Sequence, residues 1–229
     1  VSLASRLGQT FPGTGGSALW TLDVAGQNRH GAVVFPGQID PTTDPTADRA
    51  MFAGAPGSVG VVAREGEAAP GAPAGSVFDT FADSATDYSI NDAGRVAFMA
   101  QLRGGGLFFP ENQGIYTAGG GVVESVGRGG VAAAGAPGAR WNVLSRPVLN
   151  SAGEVYFGAT LSGAVTGIDA GGVWRWSAGS VDLVMRGGDA APGLPAGWLL
   201  ERPTGSHVEV NDAGQIAITT FGVLDGNAR

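Results

Sequence analysis

Several sets of side chains in this chain are of a type and spacing that could do chemistry. Asp40, Asp44 and Asp48 stand four apart, and Asp79, Asp83 and Asp87 repeat that spacing. Carboxylates gathered at a loop tip suit a hard cation such as Ca²⁺, which takes about six to eight oxygen ligands. Asn91-Asp92 and Asn211-Asp212 offer further oxygens. None of these forms the dense ladder of a dedicated calcium loop, and charge runs are usually solvated. A solvated loop is therefore the expectation, with calcium the one cofactor kept as the lesser alternative. Arg6, Arg64, Arg128 and Arg186 recur once per repeat. They would either line a shared anion channel or fork onto backbone carbonyls and a neighbouring unit's carboxylates, and inter-unit stapling is the expected role. Five tryptophans are present. Trp141, Trp174, Trp176 and Trp198 could stack on a sugar or another ligand. Trp174 and Trp176 share a strand face, and Trp141 and Trp198 fall in or near variable loops. Core packing is the commoner fate of strand tryptophans.

Catalytic groups are few. The only histidines are His30 and His207, and Cys and Lys are absent. A nucleophile would have to be Ser with one of these histidines, and no G-x-S-x-G elbow occurs. His207 and Glu209 alternate onto one strand face without a nucleophile beside them. A pair of carboxylates acting on a sugar is the remaining enzymatic route. The expectation is a protein without catalytic residues.

The positions that carry these groups belong to a repeat. Asn28-Arg-His-Gly31, Asn91-Asp-Ala-Gly94, Asn150-Ser-Ala-Gly153 and Asn211-Asp-Ala-Gly214 each precede a short apolar run. The asparagines are 63, 59 and 61 residues apart. A fixed period of this size marks an array of one supersecondary unit. A second register follows it. Arg64, Arg128 and Arg186 lie 36, 37 and 36 residues after the preceding Asn. Pro12-Gly13, Pro70-Gly71, Ala134-Gly135 and Pro192-Gly193 come shortly after each Arg.

Each Asn-x-x-Gly reads as a type I turn between two strands. The Asn side chain bonds the backbone two residues on, and the Gly takes positive φ at the fourth position. The spacing predicts four strands per unit. The first ends at the Asn (88–90, 148–149, 208–210). The second follows the Gly. The third carries an apolar pair (Met51-Phe52, Ile115-Tyr116, Val173-Trp174). The fourth runs into the Arg (60–64, 122–128, 181–186). Residues 66–87, 130–145 and 188–207 are predicted as variable loops. No window shows a helical stripe over three turns, so almost no helix is expected. Small residues between larger ones, Ala97 and Ala217, suit sheets stacked face to face.

The expected fold class is therefore all-β. It is a β-propeller-like array of four-stranded antiparallel blades, with a β-solenoid as the alternative. The array forms one domain over residues 1–229, with three complete repeats and one split between the two ends. Residues 1–6 are expected to be a fourth strand. Open strand edges invite head-to-tail pairing of copies.

Composition agrees. Gly is 41 of 229 residues, with 43% apolar residues, which suits short strands and tight turns rather than disorder. The net charge of −7 and the 13 basic residues, all Arg, argue against nucleic acid as a partner. No window reaches the about 18 apolar residues of a membrane span. The start at Val1 reads as a mature or excised segment.

The whole chain resembles the bacterial N-x-x-G-x-x-A-F tandem-repeat proteins of the choice-of-anchor type, best at Asn91-Asp92-Ala93-Gly94-Arg95-Val96-Ala97-Phe98. Val34, Tyr156 and Ile218 depart from the pattern in the other copies. The resemblance implies an exported, extracellular or cell-surface repeat scaffold, and it carries over no catalytic residue. Expected partners are other copies of the chain, or a surface glycan or protein.

Overall fold

Alternating β-branched and aromatic residues, cut every few residues by Gly, Asn or Pro, favour short strands over helices. The computed structural model describes residues 6–16, 18–22, 26–40, 46–81, 87–165, 167–203 and 208–224. Strands and turns make up these residues, and no helix occurs among them. Accordingly, none of them forms a helix long and apolar enough to cross a membrane. Residues 1–5, together with Asp44, Asp83 and His207, lie outside the described residues.

The first sheet contains β1 (Leu19–Leu22), β2 (Gly26–Gln27), β3 (Val33–Ile39), β4 (Arg49–Gly54) and β5 (Gly60–Arg64). β1 and β2 are two pieces of one edge. β1 pairs with the far end of β3 (Leu19 opposite Ile39) and β2 with its near end (Gln27 opposite Val33). β4 and β5 continue the sheet antiparallel.

The second sheet repeats this with β6 (Val77–Phe81), β7 (Tyr88–Ile90), β8 (Val96–Arg103), β9 (Gln113–Gly119) and β10 (Val122–Arg128). The third has β11 (Ala139–Leu144), β12 (Val148–Leu149), β13 (Val155–Gly163), β14 (Gly171–Ser177) and β15 (Ser180–Arg186). Each complete sheet is four strands wide. The last sheet is half that width. β16 (Trp198–Glu201) pairs with β19 (Phe221–Leu224), and β17 (Val208–Val210) pairs with β18 (Ile216–Ile218).

The segments expected as variable loops are thus partly strand, since they contain β6, β11 and β16. The second strand explains this. β8 and β13 run eight and nine residues, too long for the two or three residues of β7 or β12 to satisfy. β6 and β11 pair with the remaining half. A bulge in each pairing, at Phe78/Thr80 and Trp141/Leu144, breaks the period-two alternation that marks a strand. At the first end, Arg6 lies in no strand.

A second bulge recurs between the third and fourth strands. Met51 faces Ala63 while Phe52 faces Val61, so Val62 is the extra residue. Val126 and Val184 occupy the same place in the next two sheets.

Three apolar cores straddle neighbouring sheets. Val96, Phe98 and Tyr116 share a core with Val34, Met51 and Ala63 of the first sheet. Val155, Phe157 and Trp174 share one with Ala97, Ile115 and Val126 of the second. Ile216 and Ile218 pack with Tyr156 and Val173 of the third. The second and third sheets therefore turn alternate residues of their second strand toward the previous sheet and the next. This demands small or well-fitted side chains on both faces. Ala97 is fully buried between two sheets.

Candidate functional site

The four Asn-x-x-Gly corners share one backbone shape. In each, the Gly N–H donates to the Asn carbonyl, at 2.9–3.1 Å. Each Gly has φ between 74° and 82°, where a Cβ would be strained. The Asn Oδ1 accepts from the backbone N–H four residues on at 2.9 Å, in Ala32, Arg95, Glu154 and Gln215. It also accepts from the residue two on in the first and last corners, His30 at 3.0 Å and Ala213 at 3.1 Å.

The amide end of the side chain reaches further. Asn28 Nδ2 donates to the Asn91 carbonyl at 2.8 Å, and Asn91 Nδ2 donates to the Asn150 carbonyl at 3.0 Å. These bonds link residues 63 and 59 apart in the chain. Asn150 and Asn211 turn their amides onto Glu154 and Gln215 of their own corners. The short strands that lead into the corners follow the same path: β7 touches β2 and β12, and β12 touches β17.

Ion pairs flank this ladder and join successive sheets. Arg29 pairs with Asp92 at 2.7 Å, and Asp212 accepts from the Ser151 N–H at 3.3 Å. Arg146 pairs with Glu209 at 2.7 Å. Arg95 pairs with Glu124, receives support from Thr117 at 3.0 Å, and lies 5.3 Å over the Trp176 ring of the third sheet. Arg103 binds Glu65, Asp79 and the Thr46 carbonyl, tying the second sheet to the first. Its hydrogen bonds to Asp79 and Glu65 raise its pKa above the usual arginine value. Spacing gave no sign of these arginines, because their carboxylate partners lie 24 to 63 residues away in the chain.

The recurrent arginines do something else than bridge units. Arg64 Nε donates to the Ala47 carbonyl, Arg128 Nη1 to the Glu111 carbonyl and Arg186 Nε to the Asp169 carbonyl, at 2.9, 2.9 and 3.0 Å. Each partner is 17 residues earlier, in the connection between second and third strands of the same sheet. The expectation of inter-unit staples is corrected to staples within a unit. The fourth strand ends beside that connection, so the nearest unsatisfied carbonyls are its own. Arg6 Nα–H donates to Gln9 Oε1 in a turn.

Three of the tryptophans follow the core-packing reading and not the ligand-stacking one. Trp141, Trp174 and Trp176 are 4%, 0% and 3% exposed, so none offers a stacking face to a ligand. Trp141 and Trp174 meet edge to face at 5.8 Å, and Trp174 Nε1 donates to the Ala134 carbonyl at 2.8 Å. Trp141 and Trp198 stand on β11 and β16 rather than in loops, and Trp198 is half-buried.

Among the described residues no three His, Cys, Asp or Glu side chains gather as a metal site. Asp48 is buried and accepts from Gln38 Nε2 at 2.7 Å, and Asp79 is held by Arg103. Asp40 and Asp87 each have a partner of their own. His30 is exposed on its turn.

Two concavities accompany these features. A shallow polar one of about 300 Å³ lies over the ladder, lined by Asn91, Gly94, Arg95, Ser151 and Gly153. A larger groove of about 600 Å³ lies between β15, the turn at 189–194 and the half sheet. Burial raises the pKa of the Tyr116 and Tyr156 phenols and keeps them neutral, and Tyr156 donates to Glu154 at 2.9 Å.

A comparison with curated proteins finds no match. Residues 1–227 match a family of unknown function, DUF7453, and the chain belongs to that family.

Proposed function

We propose that this chain is a non-catalytic, exported β-repeat scaffold whose sheets are the blades of a propeller-like array, working at the cell surface or outside the cell. One observation carries the reading. The recurring residues, which an active or binding site would expose, are committed to holding the chain together. Asn28 and Asn91 bond the next corner and Asn150 and Asn211 their own, the arginines bind their own connections, and Trp174 and its equivalents Phe52 and Tyr116 are core. The succession of contacts from β2 to β7, β7 to β12 and β12 to β17 supports blades around a shared axis, because the short first strands of neighbouring sheets approach one another in turn. A linear β-solenoid is the alternative. Its coils would stack by translation, without convergence of the corner strands.

Two-dimensional class averages of the purified chain test the architecture. Sheets splayed around a common axis are expected, and a straight rod with parallel coils would overturn the propeller reading. A second reading, a module that binds a protein or glycan, is favoured by Phe108 and Phe109. They are 78% and 63% exposed in the connection between β8 and β9. Large apolar side chains displayed together mark contact surfaces. Retention of a partner by the intact chain and its loss in Phe108→Ser/Phe109→Ser would establish that reading.

A further inference from the structure

We infer that Glu154 is a release device built into the array: it draws the Asn150 side-chain amide out of the corner-to-corner ladder and so uncouples the third and fourth sheets, which the fold otherwise positions for the same bond. The inference concerns movement between neighbouring sheets. It goes beyond the scaffold reading and stands for a propeller or a solenoid alike.

The four corners copy one another closely, so their differences are informative. In every corner the Asn Oδ1 accepts from the backbone N–H four residues on. What varies is the side chain of that fourth residue. It is Ala32 in the first corner, Arg95 in the second, Glu154 in the third and Gln215 in the fourth. Alanine offers the Asn amide nothing, and a guanidinium only donates. In those two corners Nδ2 passes on to the next sheet, 2.8 Å from the Asn91 carbonyl and 3.0 Å from the Asn150 carbonyl. A carboxylate and a primary amide both present an acceptor oxygen. In those two corners Nδ2 remains local, 2.8 Å from Glu154 Oε2 and 2.7 Å from Gln215 Oε1. The direction of the Asn amide thus follows the residue four positions on.

Reach does not stop Asn150. The third and fourth corners approach each other as the first and second do. The residue after Asn28, Arg29, donates its N–H to Asp92 Oδ1 at 3.3 Å, and the residue after Asn150, Ser151, donates its N–H to Asp212 Oδ1 at 3.3 Å. β12 touches β17 as β2 touches β7. The acceptor is matched as well. Like the Asn91 and Asn150 carbonyls, the Asn211 carbonyl receives the Gly N–H of its own corner, and a carbonyl oxygen has a second lone pair to give. With approach and acceptor both in place, capture by Glu154 is what leaves this rung unmade.

Glu154 is itself held to the task. Its Oε2 also accepts from the Tyr156 hydroxyl at 2.9 Å, and Arg175 stands 3.6 Å from its Oε1 and 3.2 Å from Asp182. The strand register makes Arg175 the counterpart of Thr117, and Asp182 that of Glu124. Replacing the cation Arg95 by the anion Glu154 is therefore matched by replacing Thr117 with a cation. The first three sheets are joined by two amide rungs. The fourth is joined to the third by the Arg146–Glu209 pair, the Ser151–Asp212 bond and apolar packing. Relative motion of neighbouring sheets concentrates where a rung is missing.

Amide hydrogen exchange tests the device. Glu154→Ala gives the third corner the residue of the first. It should free Asn150 Nδ2 for the Asn211 carbonyl and raise protection in β17 and β18 about three- to tenfold, the effect of one added hydrogen bond. Glu154→Gln keeps an acceptor, as Gln215 does, and should leave protection there as in the parent chain. Adding Asn150→Asp to Glu154→Ala retains the Oδ1 that closes the corner but removes the N–H that makes the rung, and should cancel the gain. Ala32→Gln runs the change in reverse at the first corner. It should lower protection in β2 and β7 by a similar factor, whatever the third sheet makes of losing Glu154. Unchanged protection in β17 and β18 with Glu154→Ala, or a gain that survives Asn150→Asp, would overturn the proposal. A fall in protection throughout the third sheet with Glu154→Ala, with β2 and β7 unaltered in Ala32→Gln, would overturn it in favour of simple support of Tyr156 and Arg175 by Glu154.

Discussion

Asn91 does three jobs with one side chain. Its Oδ1 satisfies the Arg95 N–H, its Nδ2 satisfies the Asn150 carbonyl of the next sheet, and its backbone closes the corner. It is 7% exposed, so truncation strands a donor and an acceptor away from water. Asn211 makes the same local bonds while exposed, and its amide binds only Gln215 of its own corner. Urea denaturation should therefore give a loss of about 2–3 kcal/mol for Asn91→Ala and about 0.5–1 kcal/mol for Asn211→Ala. Equal losses would show that the bond between sheets contributes nothing. Two phenols give a pH dependence at the same scale. Tyr116 and Tyr156 have pKa values raised above the ordinary 10.0 by burial, Tyr156 with help from its bond to Glu154. Below pH 10 both are neutral in either state and their contribution is fully present. As pH rises past that value the unfolded chain gives up protons that the folded chain keeps, so stability falls. The slope is about 1.4 kcal/mol per pH unit per tyrosine until the folded pKa is reached. The urea midpoint should drop between pH 10 and 11 and hold steady between pH 8 and 9. Tyr116→Phe/Tyr156→Phe should flatten most of the drop, and an unaltered slope in that variant would assign it to other groups.

At the scale of elements, the sequence was legible wherever the determinant was local. An Asn-x-x-Gly corner needs only its own side chain and one positive φ, and all four corners stand where the motif does. The strands ending at residues 90, 149 and 210 and those running into Arg64, Arg128 and Arg186 were equally readable, because alternation and turn chemistry bound them on both sides. What stayed hidden depended on partners elsewhere. β6 and β11 exist because a long second strand leaves half its edge unpaired, and the bulges at Phe78/Thr80 and Trp141/Leu144 erase their alternation. The period of Arg64, Arg128 and Arg186 announced a structural role but not its address. An offset of 17 residues to the carbonyl acceptor has no signature in residue type, since every residue carries a carbonyl. Trp141 and Trp174 were ambiguous for a related reason: a flat aromatic face suits a sugar or a core alike. Only the neighbouring sheet, with Ala97 and Val126 closing over them, decides between the two.

At the scale of the whole molecule, a stack of sheets is stabilised by each sheet and by each interface between neighbours, so position in the stack sets local stability. The second and third sheets have cores on both faces. Among the described residues the last has one core, shared with Tyr156 and Val173, and its second strand is bonded on one side. Ala217, Phe221 and Leu224 face water there, whereas Val155, Tyr156 and Phe157 on β13 are at most 2% exposed. Opening β18–β19 therefore exposes little apolar surface and breaks few bonds, while opening β13 dismantles two cores. Amide hydrogen exchange at a concentration where the chain is monomeric should separate them. Protection in β18 and β19 should be at least about a hundredfold below that in β8 and β13. Exchange in β18–β19 as slow as in β13 from the dilute monomer would mean that the stack unfolds as one unit.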